Sequence, residues 1–118
     1  MFLERLNDLS GRIGGALAVS LVAADGIPIE SVSTAADLDV DSVAAELVAL
    51  ASSISKEQRE LSVGEVRQFT ISGEQMTFLL SRVGTDFWLL AALEPESSLG
   101  RARFELRRAA LYLEDDLA

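Results

Sequence analysis

The sequence contains neither histidine nor cysteine, and its only lysine is Lys56. Without these residue types the chain cannot form a Ser-His-Asp triad, a Cys-His pair, a disulfide, or a zinc site with nitrogen or sulfur ligands. Only carboxylate, hydroxyl, lysine and guanidinium groups remain for chemistry. The composition therefore favours a binding protein over an enzyme, and it predicts no catalytic residue, no cofactor and no metal.

Basic residues are also scarce, because 10 of them stand against 19 acidic residues, which gives a formal net charge of -9. Such a charge repels phosphate backbones and anionic lipid headgroups, so we expect no nucleic acid and no membrane as partner. The apolar stretch 13–24 resembles the core of a signal peptide, but Glu4 and Asp8 cancel the charges of Arg5 and Arg12 before it. We therefore predict a cytoplasmic protein.

The length of 118 residues is typical of one domain, and hydrophobic residues make up 49% of the chain. That fraction lies within the globular range and outside the range of disordered chains. No repeat or linker interrupts the sequence. We predict a single domain over residues 1–118.

The hydrophobic pattern predicts three helices and five strands. Asp25-Gly26 should form a tight hairpin turn with two positive-φ positions, Pro28 should place its strand at a sheet edge, and Asp39 should cap the middle helix. The predicted ranges are a helix ending near residue 11 or 14, strands 16–24 and 27–33, a helix 39–60, strands 65–72, 75–83 and 86–93, and a helix 96–116. Because hairpin connections dominate, the order α-β-β-α-β-β-β-α predicts an α+β domain with an antiparallel sheet and helices on its faces.

The middle helix has an unusual second face. We expect one stripe of it to lie on the sheet, namely Val43, Leu47, Leu50 and Ile54. The opposite side is small and uncharged where solvent should favour charge, and it consists of Ala45, Val48, Ala49 and Ser52. A symmetric dimer would bury this small-residue strip around a two-fold axis. The alternative is an alanine-rich helix that reflects helix propensity alone.

The third strand supports the dimer. It should be an edge strand, yet it carries Val66, Phe69 and Ile71 with modest charge protection, so it invites pairing with its own copy. We therefore add Val66, Gln68 and Thr70 to the predicted dimer interface. The alternative is a bare edge that is blunted by Arg67 and a bulge.

The last helix carries a basic cluster, which consists of Arg101, Arg103, Arg107 and Arg108. Two interpretations stay open: a solvated helix face with an Arg101–Glu105 pair, or a contact with an acidic or phosphate-bearing partner. Phe104 and Leu111 lie off the apolar stripe of this helix, so they either pack against the first helix or bind something outside.

Several features together resemble the roadblock family, which is named for a dynein light chain and includes bacterial regulators of Ras-like GTPases. They are the first helix, the segment IGGALAV at 13–19, the turn DGIPI at 25–29, the capped middle helix, three consecutive strands and a closing helix. The resemblance covers nearly the whole chain. It implies a five-stranded antiparallel sheet and homodimers joined through the middle helices and third strands.

The resemblance also implies a noncatalytic platform that binds a small Ras-like GTPase, similar to the partner of gliding-motility polarity regulators. We place the GTPase contact at the end of the middle helix, on Ser55, Lys56 and Arg59. Any stimulation of hydrolysis should act through the partner's own switch loops. The alternative function is a small-ligand sensory domain of PAS-like or GAF-like type, although the tightly apolar strands offer few polar groups for a ligand.

Overall fold

The computed structural model describes residues 2–117, apart from the side chains of residues 57–59. The order of elements is the predicted α-β-β-α-β-β-β-α. The elements are α1 (Leu3–Arg12), β1 (Ala16–Ala23), β2 (Pro28–Ser33), α2 (Val40–Leu61), β3 (Gln68–Ser72), β4 (Thr77–Val83), β5 (Phe87–Leu93) and α3 (Leu99–Leu117). Each boundary lies within about three residues of its prediction, which is the usual precision of hydrophobic periodicity.

The five strands form one antiparallel sheet in the order β2-β1-β5-β4-β3. Both β2, which begins at Pro28, and β3 lie at its edges, as predicted. Helices α1 and α3 cover one face and α2 covers the other, which confirms the α+β layered architecture.

The β1–β2 turn differs from its prediction. Only Gly26 has a positive φ, of 91°, and Asp25 does not share it. The Ala23 amide donates to the Ile27 carbonyl at 2.9 Å, and four residues, 24–27, separate β1 from β2. Asp25 instead accepts a hydrogen bond from the Ile27 amide through its own carboxylate at 3.1 Å. This hydrogen bond from the Ile27 amide to the Asp25 carboxylate stabilises the turn without a second residue of positive φ.

The larger core lies between the sheet and the two helices α1 and α3. The apolar stripe of α3 is buried there, and it consists of Ala102, Leu106, Ala110 and Leu113. Their largest fully buried partners are Leu6, Leu21, Leu79, Leu89 and Leu93. The central strands β1 and β5 are buried on both faces, which explains their nearly continuous apolar sequence.

Asp39 caps α2 as predicted. Its carbonyl accepts from the Val43 amide at 3.1 Å, and its carboxylate accepts from the Ser42 hydroxyl at 2.8 Å and the Ser42 amide at 3.2 Å. The Ser42 hydroxyl, followed by the Ser42 amide, holds the pKa of Asp39 below its ordinary value of 3.8.

We expect Asp39→Ala to lower the melting temperature by a few degrees, because the first turn of α2 loses its acceptor. Asp39→Asn is the matched control, since asparagine also caps helices. A lowered folded-state pKa stabilises the fold above the ordinary pKa and loses that contribution as the pH falls through the folded value. The deficit of Asp39→Ala should therefore shrink in thermal melts below about pH 3.8. A pH-independent deficit would contradict this account.

Candidate interaction surface

Helix α2 meets the sheet through a different stripe from the predicted one. Its buried residues are Val40, Ala44, Leu47, Val48 and Ala51. The prediction is wrong for Leu50 and Ile54, which are 49% and 36% exposed, and Val43 is half-buried. The helix is thus rotated by about a fifth of a turn about its axis relative to the prediction. Small side chains, rather than the large ones, occupy much of the contact with the sheet.

The rotation also changes the predicted small-residue strip. Val48 is 2% exposed and packs in the cluster beneath α2, so its assignment to an outer interface is wrong. Ala45, Ala49 and Ser52 are exposed. A Cβ on Gly26 would lie 3.7 Å from the Cα of Ala45, which places the Ala45 side of α2 against the β1–β2 turn.

The opposite flank of α2 is consequently the one that faces β4 and β3. Val43 on this flank packs against the cluster that contains Trp88, Phe69 and Phe78. Leu50 and Ile54 continue the same flank along the helix, at steps of seven and four residues from Val43. Two large apolar side chains are therefore open to solvent above the half of the sheet that ends at β3.

Strand β3 adds to this exposed apolar region. It pairs with β4 on one side, and its other edge has no strand partner within residues 2–117. Ile71 is 39% exposed and Phe69 is half-buried, and both alternate onto the α2 face of the sheet. We refer to Leu50, Ile54 and Ile71 as the open apolar surface, which the free edge of β3 borders.

The predicted β3 interface residues divide between the faces. Val66 precedes the strand and packs into the α2-side cluster. Gln68 and Thr70 are half-buried on the α3 side, where Thr70 Oγ1 accepts from Arg103 at 3.3 Å. Their backbone borders the free edge, while their side chains point away from the open apolar surface.

Arg82 fixes the approach to β3. Its guanidinium carbon lies 4.3 Å from the centre of the Trp88 ring, and its Nε donates to the Val66 carbonyl at 2.9 Å. The same Nε lies 3.1 Å from a Glu65 carboxylate oxygen, and Nη1 donates to the Thr85 carbonyl at 3.3 Å. Because this side chain is only 16% exposed, these contacts hold the segment before β3 against the sheet.

The predicted GTPase contacts lie in the C-terminal half of α2. Lys56 is exposed, as a contact residue must be. Ser55 is half-buried, and its Oγ is enclosed without a hydrogen-bond partner among the described residues. Its hydroxyl is therefore turned into the protein. The side chain of Arg59 lies outside the described residues.

The sequence analysis did not identify Leu50 and Ile54 as part of the open apolar surface, and it did not identify Arg82 as the residue that anchors the segment before β3. A signal was present for the first two, because Val43, Leu47, Leu50, Ile54 and Leu61 recur at steps of three, four and seven, and this stripe is longer than one sheet can cover. No local signal identifies Arg82, since its partners come from other segments.

The Roadblock/LC7 domain family matches residues 2–93, which is most of the chain. This chain belongs to the Roadblock/LC7 family. A comparison with curated proteins found no match.

Solved roadblock structures share the fold. MglB from Myxococcus xanthus is similar with a TM-score of 0.87 and 19% identity, covering 97% of this chain and 92% of that one. The gliding protein MglB from Thermus thermophilus gives 0.88 and 17%, covering 98% and 89%. A structure described as MglB with tetrameric arrangement gives 0.88 and 18%, covering 96% and 85%. At these identities the likeness establishes the roadblock fold.

Within residues 2–117, no helix combines the length and the apolar character that crossing a membrane requires.

Proposed function

We propose that this roadblock domain is a noncatalytic homodimeric scaffold that binds a small Ras-like GTPase. The observation that carries the proposal is the open apolar surface beside the free edge of β3, in a chain of the Roadblock/LC7 family. Exposed apolar side chains next to an unpaired strand are typical of a surface that another chain covers.

In this proposal, the chain that covers the open apolar surface is a second copy of the same protein. A two-fold axis beside β3 would pair the two edge strands and bring the two α2 helices together, so that each Leu50 and Ile54 finds an apolar partner. The description of one similar MglB structure as a tetrameric arrangement supports self-assembly on this fold. The interface of this proposal consists of Leu50, Ile54, Ile71 and the β3 edge, with Ala49 at its margin. Ser52 lies seven residues after Ala45 and therefore on the other flank, which faces the β1–β2 turn.

The GTPase surface follows from the same arrangement. Pairing the helices would form a shared ridge, and Lys56 would be exposed near its end. One asymmetric GTPase could then contact two related surfaces of one dimer, which gives a ratio of one GTPase to two chains. Hydrolysis would depend on the partner's own catalytic groups, because this chain has no histidine and no phosphate-binding loop. Family membership favours this scaffold over the PAS-like or GAF-like alternative.

We expect Lys56→Glu to weaken binding of the GTPase by roughly tenfold while the melting temperature stays nearly unchanged, because exposed charges contribute little to stability. Isothermal titration calorimetry against a small Ras-like GTPase of the same genome, loaded with GTP analogue or GDP, measures the affinity. Arg107→Glu is the matched control, since it makes the same charge change at an exposed arginine of α3, on the other face of the sheet from Lys56. Equal affinities for wild type and Lys56→Glu would move the contact elsewhere.

A further inference from the structure

Carboxylates within the described residues pair with half of the ten basic side chains of this acidic protein. Ion pairs within the described residues occupy five of them, namely Arg5, Arg12, Arg82, Arg101 and Arg108. Four others form no ion pair with another described residue, and they are Lys56, Arg67, Arg103 and Arg107. Lys56 lies on α2, whereas the three arginines lie around one groove on the other face of the sheet.

This groove runs between α3 and the β3–β4 edge and has a volume of about 540 Å³. Arg67 and Gln68 line it from the start of β3, and Arg107 and Leu111 line it from α3. Arg103 extends the row, because it stands one turn before Arg107 and its Nη2 donates to Thr70 Oγ1 at 3.3 Å. We call this feature the arginine groove.

The floor of the arginine groove carries a polar group that the fold leaves unused. Ser81 is 5% exposed and lines the groove, and its hydroxyl makes no hydrogen bond with another described residue. The wall is apolar at Leu111, which is 61% exposed. Hydrogen-bond donors without a partner and exposed apolar side chains add little to the stability of a folded chain by themselves.

The layout of the charges defines the ligand. Arg103 donates to Thr70, which lies three residues and about 10 Å along the chain from Arg67, so the charges are spread along the groove. Single phosphates are held best by donors that converge. Two carboxylates also line the groove: Glu65 pairs with Arg82 at 3.1 Å, and Glu114 closes the end of the row next to Gly84. Positive charge along an apolar wall complements an elongated segment that carries both carboxylates and apolar side chains.

We propose that the arginine groove binds an acidic, partly apolar segment of a partner protein. Its carboxylates would pair with Arg67, Arg103 and Arg107, its apolar side chains would lie on Leu111, and its backbone would accept from Ser81. The groove is on the α3 face, so it is distinct from the open apolar surface on the α2 face. The inference does not depend on dimerisation or on the GTPase.

Titration of the full-length, isotopically labelled chain with a short peptide of alternating glutamate and leucine tests the proposal. We expect saturable amide shifts centred on residues 67–70 and 103–111, and an affinity that falls as salt is added. Arg107→Gln should weaken binding by about tenfold. Arg101→Gln is the matched control on the same helix, because Arg101 already pairs with Glu105 at 3.8 Å.

Two further titrations separate the alternatives. A peptide with lysine in place of glutamate should not bind, and inorganic pyrophosphate should bind more weakly than the acidic peptide. Absence of saturable shifts with the acidic peptide, or equal losses in Arg107→Gln and Arg101→Gln, would overturn the proposal. Tighter binding of pyrophosphate at the same arginines would also overturn it and would assign the groove to a phosphate ligand.

Discussion

Replacing Leu50 and Ile54 together with glutamate is expected to convert the proposed dimer into monomers. Both side chains are already substantially exposed within one chain, so the substitutions should leave the monomer folded. In the dimer, however, they would place like charges in a desolvated apolar interface, where unpaired charges are costly. We expect the dissociation constant to rise by roughly a hundredfold or more.

Sedimentation equilibrium across a concentration series measures this change, and circular dichroism confirms the fold of the variant. Phe104→Glu is the matched control, because Phe104 is 64% exposed on α3 and lies on the other face of the molecule. A double variant that remains dimeric would move the interface away from Leu50 and Ile54. A wild-type protein that is monomeric at tens of micromolar would contradict the proposed homodimer.

Arg82→Ala should give the largest loss of stability among the polar substitutions considered. The change removes the contact with the Trp88 ring and leaves the Val66 carbonyl without its donor. Hydrogen bonds from a charged group contribute about 1.5–3 kcal/mol, and a desolvated cation–π contact adds up to about 2 kcal/mol. We expect the free energy of unfolding to fall by about 2–4 kcal/mol.

Chemical denaturation measures that loss, and hydrogen exchange locates it. Protection should fall first in β3, since Arg82 holds the segment that leads into this strand. Arg82→Lys keeps the charge but not the planar fork, so its loss should be intermediate. Arg101→Ala, which removes an arginine that is 62% exposed, is expected to change stability little. An Arg82→Ala variant as stable as wild type would contradict the anchoring role.

The sequence was sufficient to predict the fold, because each element carries its own local signal. Alternation, turn residues and the Asp39 cap identified all eight elements and their order. The prediction failed on the orientation of α2. Hydrophobic periodicity marks which residues avoid water, but it does not distinguish a stripe that packs on the chain's own sheet from one that remains exposed. Ala44 and Ala51 took the central contact because small side chains let the helix approach closely.

The arginines show the other limit of sequence reasoning. Their clustering on α3 was visible in the sequence, but which of them are neutralised was not. Arg101 and Arg108 lie near the buried carboxylate of Glu105, at 3.8 and 3.7 Å, whereas Arg103 and Arg107 turn toward β3. Only the relative placement of helix and sheet separates the two pairs.

The two edges of the sheet are chemically unequal, and this limits how far an assembly can grow. The β2 edge begins with Pro28, which has no amide hydrogen, and its register with β1 shifts between Leu21 and Val22. The β3 edge has neither defect along Gln68–Ser72. In the proposed dimer, chains that add through β3 would face one another, and only the β2 edges, which begin with proline, would remain for a further strand. We therefore expect sheet extension to stop at two chains, because the first hairpin makes the remaining edges poor sites for open-ended filament growth.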